Sequence, residues 1–244
     1  MTWATGWLAV VIAPIVGSFA GVLIRRLPRD RPVLWSRSAC ESCGHTLGLL
    51  DLVPVASYAA LRGRCRRCFA RIAPEHLAIE LAATIVALLV VLIADPDWVW
   101  PGCVLAWGLL TAAWIDAETF WLPDALTLPL ILVGLVATWL LDREAIVDRA
   151  AGAVAAWAGL RGIGWLYARL RHREGLGEGD AKLLAVGGAW LGWQALPWLL
   201  LTGAALGLLS AAVERLRGRS MSLATAIPFG PPLAAAIFAI WLTG

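Results

Sequence analysis

Two patterns in this sequence combine residue types and spacings that do chemistry. The first is Cys40-Glu-Ser-Cys43 followed, after 21 intervening residues, by Cys65-Arg-Arg-Cys68. Paired CxxC knuckles bring four thiolates within reach of one tetrahedral metal ion, so Cys40, Cys43, Cys65 and Cys68 read as the ligands of a structural zinc. With four protein ligands no position is left for water, so the metal would order a loop and not catalyse. Two redox pairs are the more distant alternative. His45 is surplus to the ligand count and reads as an ordinary loop histidine. Cys103 stands in an apolar stretch without a cysteine neighbour and reads as a buried small residue.

The second pattern is a pair of aspartates at the edges of apolar segments, Asp116 in Trp114-Ile-Asp116 and Asp180 in Gly177-Glu-Gly179-Asp180-Ala-Lys182. An acidic residue at a membrane boundary is a functional hypothesis by default. Two carboxyl groups brought together do not both ionise easily; one then serves as base and the other as acid. Such a pair can activate water for peptide hydrolysis without a covalent intermediate. Gly177 and Gly179 suggest an irregular, water-accessible start to a helix with Asp180 at its mouth. The competing reading of Asp180 is a helix cap or dipole partner. Glu118, Asp124 and Glu178 read first as solvated interface residues. No HExxH, GxSxG or GxxxxGK(S/T) string offers a metalloprotease, serine or nucleotide site.

The elements that must position these residues follow from composition. The chain has 244 residues, 60% hydrophobic and 15% charged, where an ordinary soluble domain has about 25% charged residues. A soluble globule of this size could not cover so much apolar surface, which excludes a soluble enzyme, and a disordered chain fails for the same reason. Five Cys in this length exclude a disulfide scaffold. What remains is an all-α polytopic membrane protein of about eight transmembrane helices with a cytosolic zinc-binding loop. The spans are expected at 1–24, 77–94, 98–115, 125–141, 150–168 and 223–243. The uncharged stretch 183–213, containing Gly192 and Pro197, is split near Gln194 into two short helices. The expected organisation is a first span (1–24), a Cys-rich loop (25–74) and a membrane core (75–244).

Of the 20 Lys and Arg, ten fall in 25–74, four in 169–182 and three in 214–222. These loops therefore read as cytosolic, with both termini outside. Arg161 lies within an expected span and is read as snorkelling to the inner face, with pairing to a catalytic carboxylate as the alternative. The net charge of +3 is thus a topological marker and not a nucleic-acid signal.

The residues now carry a family. Gly17-Ser-Phe19 through Arg26-Leu-Pro28, the two CxxC knuckles with Pro54-Val-Ala-Ser57-Tyr between them, and Asp116 followed by Leu122-Pro123-Asp124-Ala-Leu-Thr-Leu-Pro129 form its first half. Gly175-Leu-Gly177-Glu-Gly179-Asp180-Ala-Lys182 through Gly188-Ala-Trp190-Leu-Gly-Trp193, and Pro228-Phe-Gly230-Pro, form its second. In this order they resemble the prepilin peptidases, or type IV leader peptidases, membrane aspartic proteases of the GxGD type.

The resemblance implies an inner-membrane, multi-pass enzyme that cuts the leader from type IV prepilins or type II secretion pseudopilins at the cytosolic face. It implies Asp116 and Asp180 as the catalytic pair, with Gly177, Gly179 and Lys182 supporting them, and Cys40, Cys43, Cys65 and Cys68 as the metal set. Many members also methylate the new N-terminus, with S-adenosylmethionine as donor, and the resemblance associates the Cys loop with that activity. The implied partners are prepilin substrates and membrane lipid, with no nucleic acid.

The sequence departs from the family pattern at Glu178, where an aromatic is common, at Gly21, where Asn is frequent, and in having Arg161. Rival readings are a peptidase without methyltransferase activity, a non-enzymatic assembly protein of the pilus or secretion machinery, and a proton-coupled transporter. Acids at one face instead of at the midplane disfavour the transporter.

Overall fold

The structure, a computed structural model, describes residues 3–33, 37–171, 177–218 and 227–244. Among these the chain is helical. Two isolated bridges, Ala39 with Thr46 and Arg64 with Arg71, are its only β pairings. The helices are α1 (Trp3–Arg26), α2 (Ala56–Ala60), α3 (Pro74–Ile93), α4 (Val99–Thr119), α5 (Asp124–Leu141), α6 (Ile146–Arg171), α7 (Glu178–Leu191), α8 (Leu196–Leu216) and α9 (Gly230–Thr243). They begin and end where local chemistry dictates. Proline, which costs least in the first turn of a helix, opens α3, α8 and α9. Arg25 and Arg26 close α1 at the negative end of its dipole.

Eight long helices thus occupy the places of the eight expected spans. The split of 183–213 falls at Gly192, whose φ of +84° ends α7 before a short 3-10 turn over Trp193–Ala195. Five segments are long and apolar enough to cross a membrane: Thr5–Arg29, Pro74–Ile93, Val99–Thr119, Asp124–Leu141 and Trp193–Leu216. The other three long helices differ from the expectation for identifiable reasons. Helix α6 has 26 residues but carries Arg149, Arg161, Arg169 and Arg171. Helices α7 and α9 have 14 residues each, roughly 21 Å of helix against a hydrocarbon core of about 30 Å. The last expected span begins in 223–226, outside the described residues; its helical part starts at Gly230.

The chain forms two compact units, 1–107 and 108–244. In the first, α1 lies against α3 at backbone distance. A Cβ on Gly17 would stand 2.7 Å from the Glu80 Cα, so only glycine admits this approach. The Trp107 indole donates to the Ala83 carbonyl at 3.0 Å. The far side of α1 exposes Trp7, Leu8, Val11 and Ile15. Such an apolar band suits lipid and would be a liability in water.

In the second unit α7 is central, packed on α5, α6, α8 and α9. Its stretch from Leu183 to Trp190 is buried throughout, as expected of a helix apolar on all sides. The Trp190 ring spans the gap left by Gly134 and donates to the Leu130 carbonyl at 2.9 Å, tying α7 to α5. Helices α6 and α7 meet at Gly152 and Gly188, where a Cβ on Gly188 would lie 2.4 Å from Gly152 backbone atoms. Small residues at such crossings are how helices in lipid gain packing without a hydrophobic driving force. Substituting valine at Gly188 is expected to force α6 from α7. It should destabilise the purified protein by at least about 1–3 kcal/mol, read as a lowered melting temperature in detergent.

Candidate active site and candidate metal centre

The first unit holds the cysteines. Each CxxC segment is a tight knuckle built the same way. Cys40 N–H donates to the His45 carbonyl and Gly44 N–H to that of Cys40; Cys65 N–H donates to Ala70 and Phe69 N–H to Cys65. The residue after each second cysteine is left-handed, with φ of +69° at Gly44 and +59° at Phe69. Glycine adopts this at no steric cost, whereas Phe69 is strained and exposes its ring.

The knuckles place one sulfur of each cysteine within 4.8 Å of every other. The Cys40 and Cys68 sulfurs are 3.8 Å apart, close to the roughly 3.8 Å edge of a tetrahedron with metal–sulfur bonds of about 2.3 Å. The amides of Cys43 and Ser42 point at the Cys40 sulfur and hold its thiol down at about 6. At Cys68 the Ala70 amide also favours the thiolate, but desolvation and the sulfurs of Cys43, Cys65 and Cys40 outweigh it and push the thiol up to about 11. Four sulfurs held this close form the ligand set of a tetrahedral cation site. His45 lies outside the cluster, its Nδ1 3.2 Å from Arg67. Cys103 is fully buried.

Glu80, in the second turn of α3, organises the approach to the knuckles. It is buried, accepts from the Val55 N–H at 2.7 Å and receives a hydrogen bond from Ser18. Val55 has φ of +59° and ψ of −53°, and the Ala56 N–H donates to the Pro54 carbonyl across it. This is a strained γ-turn at a β-branched residue, held by a carboxylate from α3. Nothing in the local sequence marks that turn. Glu80→Ala is expected to leave the Val55 amide without this partner at a cost of about 1–3 kcal/mol. Faster proteolytic cutting within 53–57 of the purified protein would report it.

The second unit holds both aspartates and brings them together. Asp116 sits in the last turn of α4, 6% exposed. Its Oδ2 accepts from the Gly230 N–H at 2.8 Å. Pro231 and Pro232 have no N–H, so Gly230 presents the donor at this end of α9. A Cβ there would stand 2.5 Å from Oδ2, so the carboxylate reaches that amide only because the residue is glycine. Phe120, with φ of +55°, turns the chain out of α4. The strand-like segment that follows seats Leu122 against Gly179, where a Cβ would come within 2.8 Å.

That contact sets the start of α7 beside the end of α4. Gly177 stands at the N-cap of α7 without a side-chain cap, and its own N–H donates back to the Asp180 carboxylate, which orients the acid. The charge of Asp116 reaches Asp180. Lys182 donates to Asp124 Oδ1 at 2.6 Å and lies 3.5 Å from Glu178 Oε1, joining α7 to the first residue of α5.

Of the two readings of Arg161, pairing with Asp116 or Asp180 is not what the structure has: its Nη1 is 3.4 Å from Glu178 Oε2. Asp124 and Glu178 are solvated but paired, and Glu118 accepts from the Trp114 indole at 2.9 Å. Gly175 of the second motif lies outside the described residues.

This arrangement is two carboxyl groups, each oriented by a backbone amide, at neighbouring helix ends in an apolar bundle. Two carboxyl groups so placed can divide the roles of acid and base, the chemistry that an aspartic protease uses. Residues 11–94 match the bacterial peptidase A24 N-terminal domain and 103–212 the type IV leader peptidase family. The chain belongs to that family. It is 38% identical over 260 residues to a prepilin leader peptidase/N-methyltransferase of Burkholderia pseudomallei, covering 93% of this chain and 82% of the relative. Proteins of the same name from Pseudomonas putida (36% identical; 96% and 90% covered) and Pseudomonas aeruginosa (34%; 93% and 86%) are similarly close. No solved structure matches.

Proposed function

We propose that this chain is a multi-pass inner-membrane endopeptidase that removes the leader of type IV prepilins or type II secretion pseudopilins at the cytosolic face, and then methylates the new N-terminus. What supports the peptidase reading is that Asp116 and Asp180 lie in one compact unit, with the charge of Asp116 acting on Asp180. Each has one carboxyl oxygen engaged by a backbone amide, from Gly230 and Gly177, which leaves the other for water and substrate. In hydrolysis the ionised member takes a proton from water as its oxygen attacks the scissile carbonyl carbon. The protonated member gives its proton to the departing amine as the C–N bond breaks. The pair titrates as a unit, so neither role belongs to one residue alone. The excess of Arg in 25–74 and 169–182 supports placing this chemistry in the cytosol. All eight long helices then lie in the membrane, with α7 and α9 as short, enclosed elements.

The cysteine cluster fits zinc in ligand type, ligand number and sulfur spacing. Cys40, Cys43, Cys65 and Cys68 would hold it, and it would supply only the cross-link that orders 38–71. The donor for methylation finds no such match. The cavity beside the second knuckle, about 650 Å³, is lined by Arg62, Arg64 and Arg66 with Leu61, Cys65 and Phe69. Arg66 is paired with Asp51 at 2.7 Å, and the lining as a whole sets positive charge against the sulfonium cation of S-adenosylmethionine. Methylation therefore rests on the relatives' names.

Three measurements test the proposal. Asp116→Asn and Asp180→Asn should each abolish cleavage of a co-expressed prepilin while the protein still inserts; full activity in either removes that residue from the mechanism. Mass spectrometry of the product should show the leader gone and one methyl group added; an unmethylated product would restrict the enzyme to proteolysis. Elemental analysis should find one zinc per chain, lost in Cys43→Ser together with protection of the loop from protease.

A further inference from the structure

Arg161 and Glu178 are two residues at which the sequence leaves the pattern it otherwise follows, and the structure joins them. Arg161 comes from the middle of α6 and Glu178 is the first residue of α7, two positions before Asp180; their charged atoms are 3.4 Å apart. The turn they meet on has little else to hold it. Of residues 177–180, two are glycine, which raises the entropy lost when the turn is fixed. Gly179 rests on Leu122. Besides Asp180 itself, Glu178 is the one side chain of this turn through which other helices can grip it. Arg161 of α6 grips it from outside, and Lys182, on α7 itself, links it to Asp124 of α5.

We propose that Arg161 is a positioning residue, acting through Glu178 to fix the first turn of α7 and so hold Asp180 in register with Asp116. The inference rests on the reading of Asp180 as half of the catalytic pair. Its physical signature is specific. The side chains of Arg161 and Glu178 are 48% and 59% exposed, and ion pairs at such exposure add little to global stability. What the pair changes is the freedom of a two-glycine turn. Its loss should therefore appear in the chemical step and not in the melting temperature or in substrate binding, because small misplacements of a reacting group are costly to rate.

The test is steady-state cleavage of a purified prepilin by the full-length chain in lipid, with melting temperature recorded alongside. Arg161→Gln should lower kcat about tenfold with KM and melting temperature unchanged. Glu178→Gln should lower kcat at least as far, since it releases both cations. The double variant should be no slower than Glu178→Gln, as one interaction cannot be lost twice. Arg161→Lys, which keeps the charge, should restore most of the rate. Wild-type kcat in Arg161→Gln, multiplying losses in the double variant, or a fall explained by a lowered melting temperature would each overturn the proposal. Asp180→Asn, run in parallel, separates the two claims. If it cleaves at the normal rate the catalytic reading fails. If it is inactive while Arg161→Gln is fully active, only the clamp fails.

Discussion

A carboxylate inside an apolar helical bundle must be given hydrogen bonds, and the nearest donors are the free amides at helix starts. Asp116 obtains one from Gly230 at the first turn of α9, and Asp180 obtains one from Gly177 at the cap of α7. At Gly230 the carboxyl group comes so close that an added Cβ would stand 2.5 Å from its oxygen, which is why glycine is the donor there. The positive end of each helix dipole then faces the acid it holds. The surrounding packing serves this requirement. Trp190 locks α7 to α5, Gly152 and Gly188 bring α6 and α7 into backbone contact, and Leu122 on Gly179 closes the remaining gap.

The N-terminal unit applies similar principles with different chemistry. Sulfurs, like carboxylates, are hard to crowd without compensation, and the two knuckles crowd four of them using the same hydrogen-bonded turn twice. The strain at Phe69 and Val55 is placed in the loop that carries the cluster. Glu80 offsets part of it by satisfying the Val55 amide from within α3. A buried carboxylate and a four-sulfur cluster suited to a metal thus meet in a loop with little hydrophobic core of its own.

Much of this was legible in the sequence because it depends on local pattern. Helix positions follow from runs of apolar residues and their charged ends, and the break at Gly192 follows from an apolar run too long for one span. The cysteine cluster follows from spacing alone. What was not legible depends on contacts between distant residues. The Gly230 amide lies 114 positions from Asp116. A Pro-Phe-Gly-Pro string announces a helix start but not the acid that it serves. The Glu80–Val55 contact spans 25 positions, and a valine in a left-handed γ-turn violates the local preferences from which turns are inferred.

Arg161 shows how the two kinds of information combine. Alone, an arginine in an apolar helix invites the reading that it stretches toward water, which is the lowest-cost solution for an isolated charge. Alone, a glutamate between two glycines looks like a solvated residue at a helix start. Neither reading is wrong about the isolated side chain, but each omits the partner. Once α6 and α7 pack through Gly152 and Gly188, the two charges fall within reach. Pairing then becomes available to both, and at their exposure it fixes geometry more than it adds to global stability. The glycines that let the helices approach therefore also decide which acid the arginine meets: Glu178, and not Asp180, which is left to its own backbone donor and to Asp116.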